Sequence, residues 1–156
     1  MAKQIVIDHP AVSAYVAEQA RAAFTPGFDH SIGIIDAEKA DMVRGGVIIT
    51  GCTGSSCIGH VAGRNEHWLN RDMIWVVFHY VFVQLGCARL LGIVEAANTH
   101  TLRFDLNFGF KELYRIERMF PSGDGIIVAM DREECRWLKI KPRTVRSMQE
   151  EVSHGR

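Results

Sequence analysis

NTHTLRFDLNFGF, residues 98–110, is the stretch whose reading decides the fold. It follows an apolar run, RLLGIV at 89–94, that reads as a buried strand. The side chain of Asn98 is suited to accept hydrogen bonds from the first helical amides, which have no partner within a helix. Leu102, Leu106 and Phe108 then give the helix an apolar face. Gly109 supplies the left-handed residue beyond the last turn, and Phe110 folds back as the hydrophobic partner of that cap. Residues 111–119 and 126–132 read as strands, so the helix over 98–108 lies in a β-α-β setting.

Working outward, residues 71–85 are apolar on nearly all sides, and their length without internal Gly or Pro predicts a helix buried on most faces. Asn70 caps it and Gly86 closes it. Before it stand three strand candidates, 31–35, 42–50 and 56–62, joined by turn-forming segments at 36–41 and 51–55, as in an antiparallel meander. A short strand at 4–7 leads through Pro10 into a helix reaching about residue 24, with Val12, Tyr15, Val16, Ala20 and Ala23 on one face. The order predicts an α/β fold with a central twisted mixed sheet flanked by helices.

The chain has 156 residues, 47% of them hydrophobic and 23% charged, which is the composition of one globular domain rather than of a disordered segment. We place that domain at 1–138 and a charged C-terminal tail at 139–156. Lys plus Arg and Asp plus Glu balance at 18 each, so the net charge points to neither nucleic acid nor a membrane surface. The N-terminus offers three consecutive apolar residues, short of a signal peptide, and the apolar stretch at 73–83 is broken by His79 and too short to span a bilayer. A cytoplasmic protein with four reduced cysteines is the expectation. Cys52, Cys57, His60 and His67 resemble a zinc set, but an odd separation along a strand sends Cys57 and His60 to opposite faces, and no metal is expected.

Over residues 31–138 the order of elements, together with Asn98 and the Gly109-Phe110 ending, resembles the GNAT N-acetyltransferase superfamily. WLNRDMIWVVFHYVFVQLGCARLLGIVEAANT and the ending MDREECRWL look like the small acetyltransferase-like proteins common in bacteriophage and prophage genomes. The resemblance implies acetyl-CoA, or another acyl-CoA, as co-substrate, laid where the fourth and fifth strands splay apart. Its pantetheine arm would pair with the fourth strand at His60, Val61 and Ala62 as an added strand. Its pyrophosphate would sit at the start of the buried helix, at Asn70, Arg71 and Asp72, with Asn98 and Arg103 as further contacts.

Two departures from the family pattern bear on chemistry. The usual Q/R-x-x-G-x-G/A phosphate loop is absent: counting from Arg64, its glycine places hold His67 and Leu69. Gly63 remains available, and Arg64 and Arg71 would supply charge in place of backbone closeness. The tyrosine that often protonates the departing thiolate is replaced by Asp105, which can donate a proton only if burial raises its pKa; Tyr80 and Tyr114 are the substitutes. His60 is the candidate general base, with Glu66 and Glu95 as carboxylate alternatives. The mixed-charge run at 132–137, ending in Trp137, reads as a strand end packed on the domain, with a homodimer contact as its other use.

Three functions compete on this reading. One is transfer of an acetyl group to a primary amine of a small molecule or protein. A second is a GNAT-shaped binding protein that has lost efficient catalysis. The third is acyl-CoA-dependent modification of a nucleic-acid base, against which the balanced charge argues.

Overall fold

His9 caps the first helix: its Nδ1 accepts the Ala11 amide at 3.1 Å, and Pro10 follows at the first helical position. In the computed structural model, which describes residues 3–39, 42–140 and 142, the elements run β1 (Lys3–Ile7), α1 (Pro10–Ala20), β2 (His30–Asp36), β3 (Val43–Thr50), β4 (Ser56–Gly63), α2 (Arg71–His79), β5 (Arg89–Glu95), α3 (Thr99–Phe108), β6 (Lys111–Phe120) and β7 (Gly123–Asp131). One sheet of seven strands carries them in the order β1-β2-β3-β4-β5-β7-β6. β2, β3 and β4 form the expected antiparallel meander, and β1 adds to its outer edge, antiparallel to β2. β4 and β5 pair in parallel across α2, and β7 lies between β5 and β6, antiparallel to both. This is the mixed α/β architecture the sequence predicts.

Directly paired residues share a sheet face, so register tells where each helix lies. Gly33 pairs with Gly46, and a Cβ on either would stand 2.6 or 2.7 Å from a methyl of Val12. The two glycines let α1 lie close on that face, beside Ile48 and Ala62. The opposite face carries the larger core, in which Ile32, Ile34, Val47, Ile49, Cys57 and Leu90 meet Met73, Val77 and Phe82 from α2 and its extension. Further along this second face, Leu102 of α3 and Phe110 cover Val94, Ile126 and Val128.

Several boundaries differ from expectation for identifiable reasons. α1 ends at Ala20, because Arg21 takes a left-handed conformation and its amide bonds back to Ala17 and Glu18. The helix expected over 71–85 is α-helical only to His79, then continues as a π-helical turn, Tyr80–Gln84. The wider turn lets the consecutive residues Val81 and Phe82 both reach the core with no exposed surface. In α3, Leu106 faces solvent, correcting the expected apolar face; Leu102 and Phe108 make the inward contacts. Residues 132–137 form two short 3-10 turns rather than a strand end. Trp137 stacks on Phe108 at 4.5 Å and donates its indole N–H to the Phe108 carbonyl, so it closes the end of α3 within the chain. Apart from Lys139, Ile140 and Pro142, the expected tail lies outside the described residues. Among the described residues no helix is long and apolar enough to cross a membrane.

Candidate functional site: the opening between β4 and β5

β4 stays joined to β3 as far as Gly63, and β5 to β7 as far as Glu95. To each other they pair only at Ser56↔Arg89, Cys57↔Leu90 and Ile58↔Leu91. Beyond Ile58 and Leu91 the two strands are no longer partners, and the sheet opens between them. A strand that leaves its neighbour exposes a row of N–H and C=O groups to which an extended chain can add. The burial of β4 shows the effect: it is the fourth of seven strands, yet only Cys57 is buried, and Val61 is 56% exposed.

His60 stands just past the point of divergence, on the α1 face beside Ile48. Its Nε2 lies 3.2 Å from the Thr50 hydroxyl. Burial lowers its pKa and the nearby Asp29 carboxylate opposes the shift, so the ring is neutral at pH 7. Cys57 points to the other face, into the core, where burial and neighbouring thiols raise its pKa. Among the described residues no cluster of three or more His, Cys, Asp or Glu is arranged to hold a metal ion.

At the far end of β4 the loop folds into a 3-10 turn, Glu66–Trp68, capped by Asn65, whose side chain accepts the His67 amide. The Trp68 ring lies over Gly45 and Gly63, where any Cβ would collide with it. Gly63 therefore seats an indole, which corrects the expectation that it is available to a phosphate. Trp68 thus covers the end of the β3–β4 pair. Asn70 caps α2 by accepting the Met73 amide at 2.9 Å. Arg71 is exposed in the first turn of that helix. Arg64 is tied down: its Nε donates to the Val43 carbonyl at 2.6 Å, and its guanidinium lies over the Tyr15 ring. Asp72 occupies the same first turn, where its charge complements the helix dipole.

The remaining expected residues are dispersed. Asn98 caps α3, accepting the Thr101 amide at 3.1 Å, and Arg103 is exposed on that helix. Asp105 faces inward, and burial pushes its carboxyl up to about 6. Glu95 is exposed at the end of β5, where it accepts the Ser122 hydroxyl at 2.9 Å. Tyr114 is 68% exposed on the edge strand β6, two strands from β5 and so about 10 Å to its side. The structure does not bring Tyr114 to the opening. Tyr80 meets His30 Nδ1 at 2.7 Å, and burial pushes its hydroxyl up to about 12, which makes it a poor proton donor. Sequence reading missed His30 and Asp29, which a loop beginning FTPGFDH hides among turn formers.

No protein-family model and no curated protein matches this chain. Solved structures do. Mutant forms of the spermidine/spermine N-acetyltransferase SpeG from Vibrio cholerae superpose with a TM-score of 0.67 at 12% identity, covering 88% of this chain and 98% of that one. A chimera of Vibrio cholerae SpeG and hSSAT gives 0.66 at 14% identity, covering 88% and 99%. SpeG in complex with CoA and spermine gives 0.58 at 15% identity, covering 78% and 74%. At these identities the likeness is one of fold: the chain has the GNAT-like acyl-CoA transferase architecture.

Proposed function

We propose that this protein transfers an acetyl group from acetyl-CoA to a primary amine. The observation that carries the reading is the exposed half of β4, a central strand left without its neighbour beyond Ile58. The free edge over Gly59–Gly63 takes the extended pantetheine arm by strand addition, with His60, Val61 and Ala62 in contact. The first-turn amides of α2 and the Arg71 guanidinium hold the pyrophosphate. Asn98 and Arg103 approach the arm from the side of α3.

His60, neutral at pH 7, accepts a proton from the attacking amine as the N–C bond forms. Backbone amides at the head of the opening stabilise the developing oxyanion. When the C–S bond breaks, the leaving thiolate takes a proton from Asp105 or from water. At pH 7 a carboxyl titrating near 6 is protonated in about a tenth of molecules. Glu95 lies at the mouth, where a carboxylate attracts a cationic acceptor.

Calorimetry with acetyl-CoA tests this directly. A micromolar Kd that weakens about tenfold in Arg71→Ala is expected, as for loss of a charge-assisted phosphate contact. No heat at millimolar acetyl-CoA would sink the proposal. One observation favours a second reading, a binding protein of this fold without efficient catalysis. Trp68 occupies Gly63, and Asp72 sets a negative charge beside the site meant for pyrophosphate. The same titration decides between the two.

A further inference from the structure

β3 and β4 are joined by a tight turn with a cysteine on each side of it. The last regular pair of the two strands is Thr50↔Ile58. The turn closes at Thr53 and Ser56: the Thr53 amide donates to the Ser56 carbonyl at 3.0 Å, and the Ser56 amide donates to the Thr53 hydroxyl at 3.0 Å. Between those two closures stand Gly51 and Cys52 on the β3 side and Cys57 alone on the β4 side. Two residues facing one make a β-bulge, and Gly51, left-handed at φ +60°, is the residue that starts such a bulge. The bulge sets Cys52 across from Cys57. Because Thr53 and Ser56 form a hydrogen-bonded pair, the next pair out is of the other kind, with α-carbons about 4.5 Å apart and side chains on one face. A disulfide needs α-carbons roughly 4.4–6.8 Å apart. The two thiols lie within hydrogen-bonding reach of each other, and all four cysteines of the chain are free.

Access divides the pair. Cys52 is exposed, whereas Cys57 has no exposed surface, and Cys87 and Cys135 are buried as well. We propose that Cys52 and Cys57 form a redox-active dithiol oxidised by small-molecule disulfides, Cys52 receiving the reagent and Cys57 resolving it. In the first step the Cys52 thiolate attacks one sulfur of the reagent, a mixed disulfide forms on Cys52, and one small thiolate leaves. In the second, Cys57 gives its proton to solvent and attacks Cys52 Sγ, so that the Cys52–Cys57 bond forms and the second small thiolate departs. Two protein thiols are oxidised and one small disulfide is reduced to two thiols. Burial holds Cys57 in its protonated form, which shields it from an outside reagent; beside a disulfide on Cys52, proximity offsets that weakness. The site lies where the sheet begins to open, since Cys57↔Leu90 is the middle of the three pairs that hold β4 to β5. Its chemistry needs neither acyl-CoA nor an acceptor, and stands apart from the transferase reading.

Dithiodipyridine, an aromatic disulfide whose released thiopyridone absorbs in the near ultraviolet, reads both steps on the full, folded chain. The wild type should release about two equivalents, the second more slowly than the first, and finish with no reagent attached. Its peptide map should show Cys52 linked to Cys57. Cys57→Ala should release about one equivalent and keep a pyridylthio group on Cys52, which has lost its resolving partner. Cys52→Ala should release almost none, because the thiols that remain are buried. A wild-type chain that stops at one equivalent with the label retained would overturn the pair. So would a link mapped to Cys87, a Cys57→Ala variant that still sheds its label, or a folded Cys52→Ala variant that reacts as the wild type does. The wild-type peptide map decides the matter even where a variant fails to fold.

Discussion

β3 and β4 are adjacent antiparallel strands of eight residues each, and they differ most in what surrounds them. β3 is buried at every position except Arg44 and Thr50, whereas β4 is buried only at Cys57. One strand has neighbours along both edges and helices on both faces. The other shares β3 along one edge and loses β5 along half of the other. Free energy of folding is thus concentrated in β3, while β4 keeps backbone and side chains available to a ligand. Binding sites are drawn from such underpacked regions, because a fully paired central strand has nothing left to offer.

The strongest way to break this contrast is to add one methyl group to each strand. At Gly46 in β3 a Cβ would stand 2.7 Å from Val12 Cγ1 and 2.9 Å from the Ile32 carbonyl, and the carbonyl cannot move without disturbing the sheet. Gly46→Ala should cost about 3 kcal/mol in urea unfolding, the upper range for overpacking. At Gly59 in β4 the nearest atom is a side-chain methyl of Leu90 at 3.4 Å, an ordinary contact. Gly59→Ala should shift stability by less than about 0.5 kcal/mol. Equal costs at the two sites would mean that β4 is as tightly held as β3, and the contrast would be gone.

Val61→Glu sharpens it from the ligand side. This exposed residue lies on the sheet face that carries α2. A charge there should leave the unfolding midpoint nearly unchanged but weaken acetyl-CoA binding at least about tenfold, or 1.4 kcal/mol, by repelling the phosphates. Retained affinity would show that the cofactor does not run along this part of β4.

What the sequence made legible divides along the same line. Asn70, Gly86, Asn98 and Gly109 were readable because caps and left-handed turns are local: a residue type at a fixed place satisfies a known orphan group. The alternation of Cys57 and His60 across β4 was readable from strand period alone. Long-range consequences were not. Gly63 and Gly45 take their meaning from an indole five residues beyond one and 23 beyond the other, a contact that no local pattern encodes. Asp29 reads as an ordinary turn former until the fold brings its charge to bear on His60. The π turn at Tyr80–Gln84 arises because two consecutive side chains are both drawn into the core, a tertiary demand that overrides helical period.

The helix α3 offers a smaller test, since Asn98 has a structural and a proposed ligand role. Asn98→Ala removes the acceptor for the Thr101 amide and should cost about 1 kcal/mol. Asn98→Asp keeps that acceptor but loses the amide donor. It should therefore fold as well as the wild type and bind acetyl-CoA several-fold more weakly. If both variants bind alike and only Asn98→Ala is destabilised, the residue is a cap and nothing more.

A last test concerns Asp105, and the sign of its effect follows from burial alone. Its folded carboxyl is raised from an ordinary 3.8 to about 6, because desolvation penalises the charged form. Below pH 3.8 the group is protonated in both states and carries no penalty. As pH rises through about 6 the folded state must lose a proton it holds more tightly than the unfolded chain does, so stability is lost across that window. Asp105→Asn presents a neutral side chain of similar shape at every pH. The variant should match the wild type at pH 4 and exceed it at pH 8, the gap opening between about 4 and 6 and level above that, as read from urea midpoints at the two ends. A variant less stable at pH 8 would show that the ionised carboxylate has a partner which compensates its burial. Asp105 would then be an ordinary anion at neutral pH, and protonation of the thiolate would fall to water.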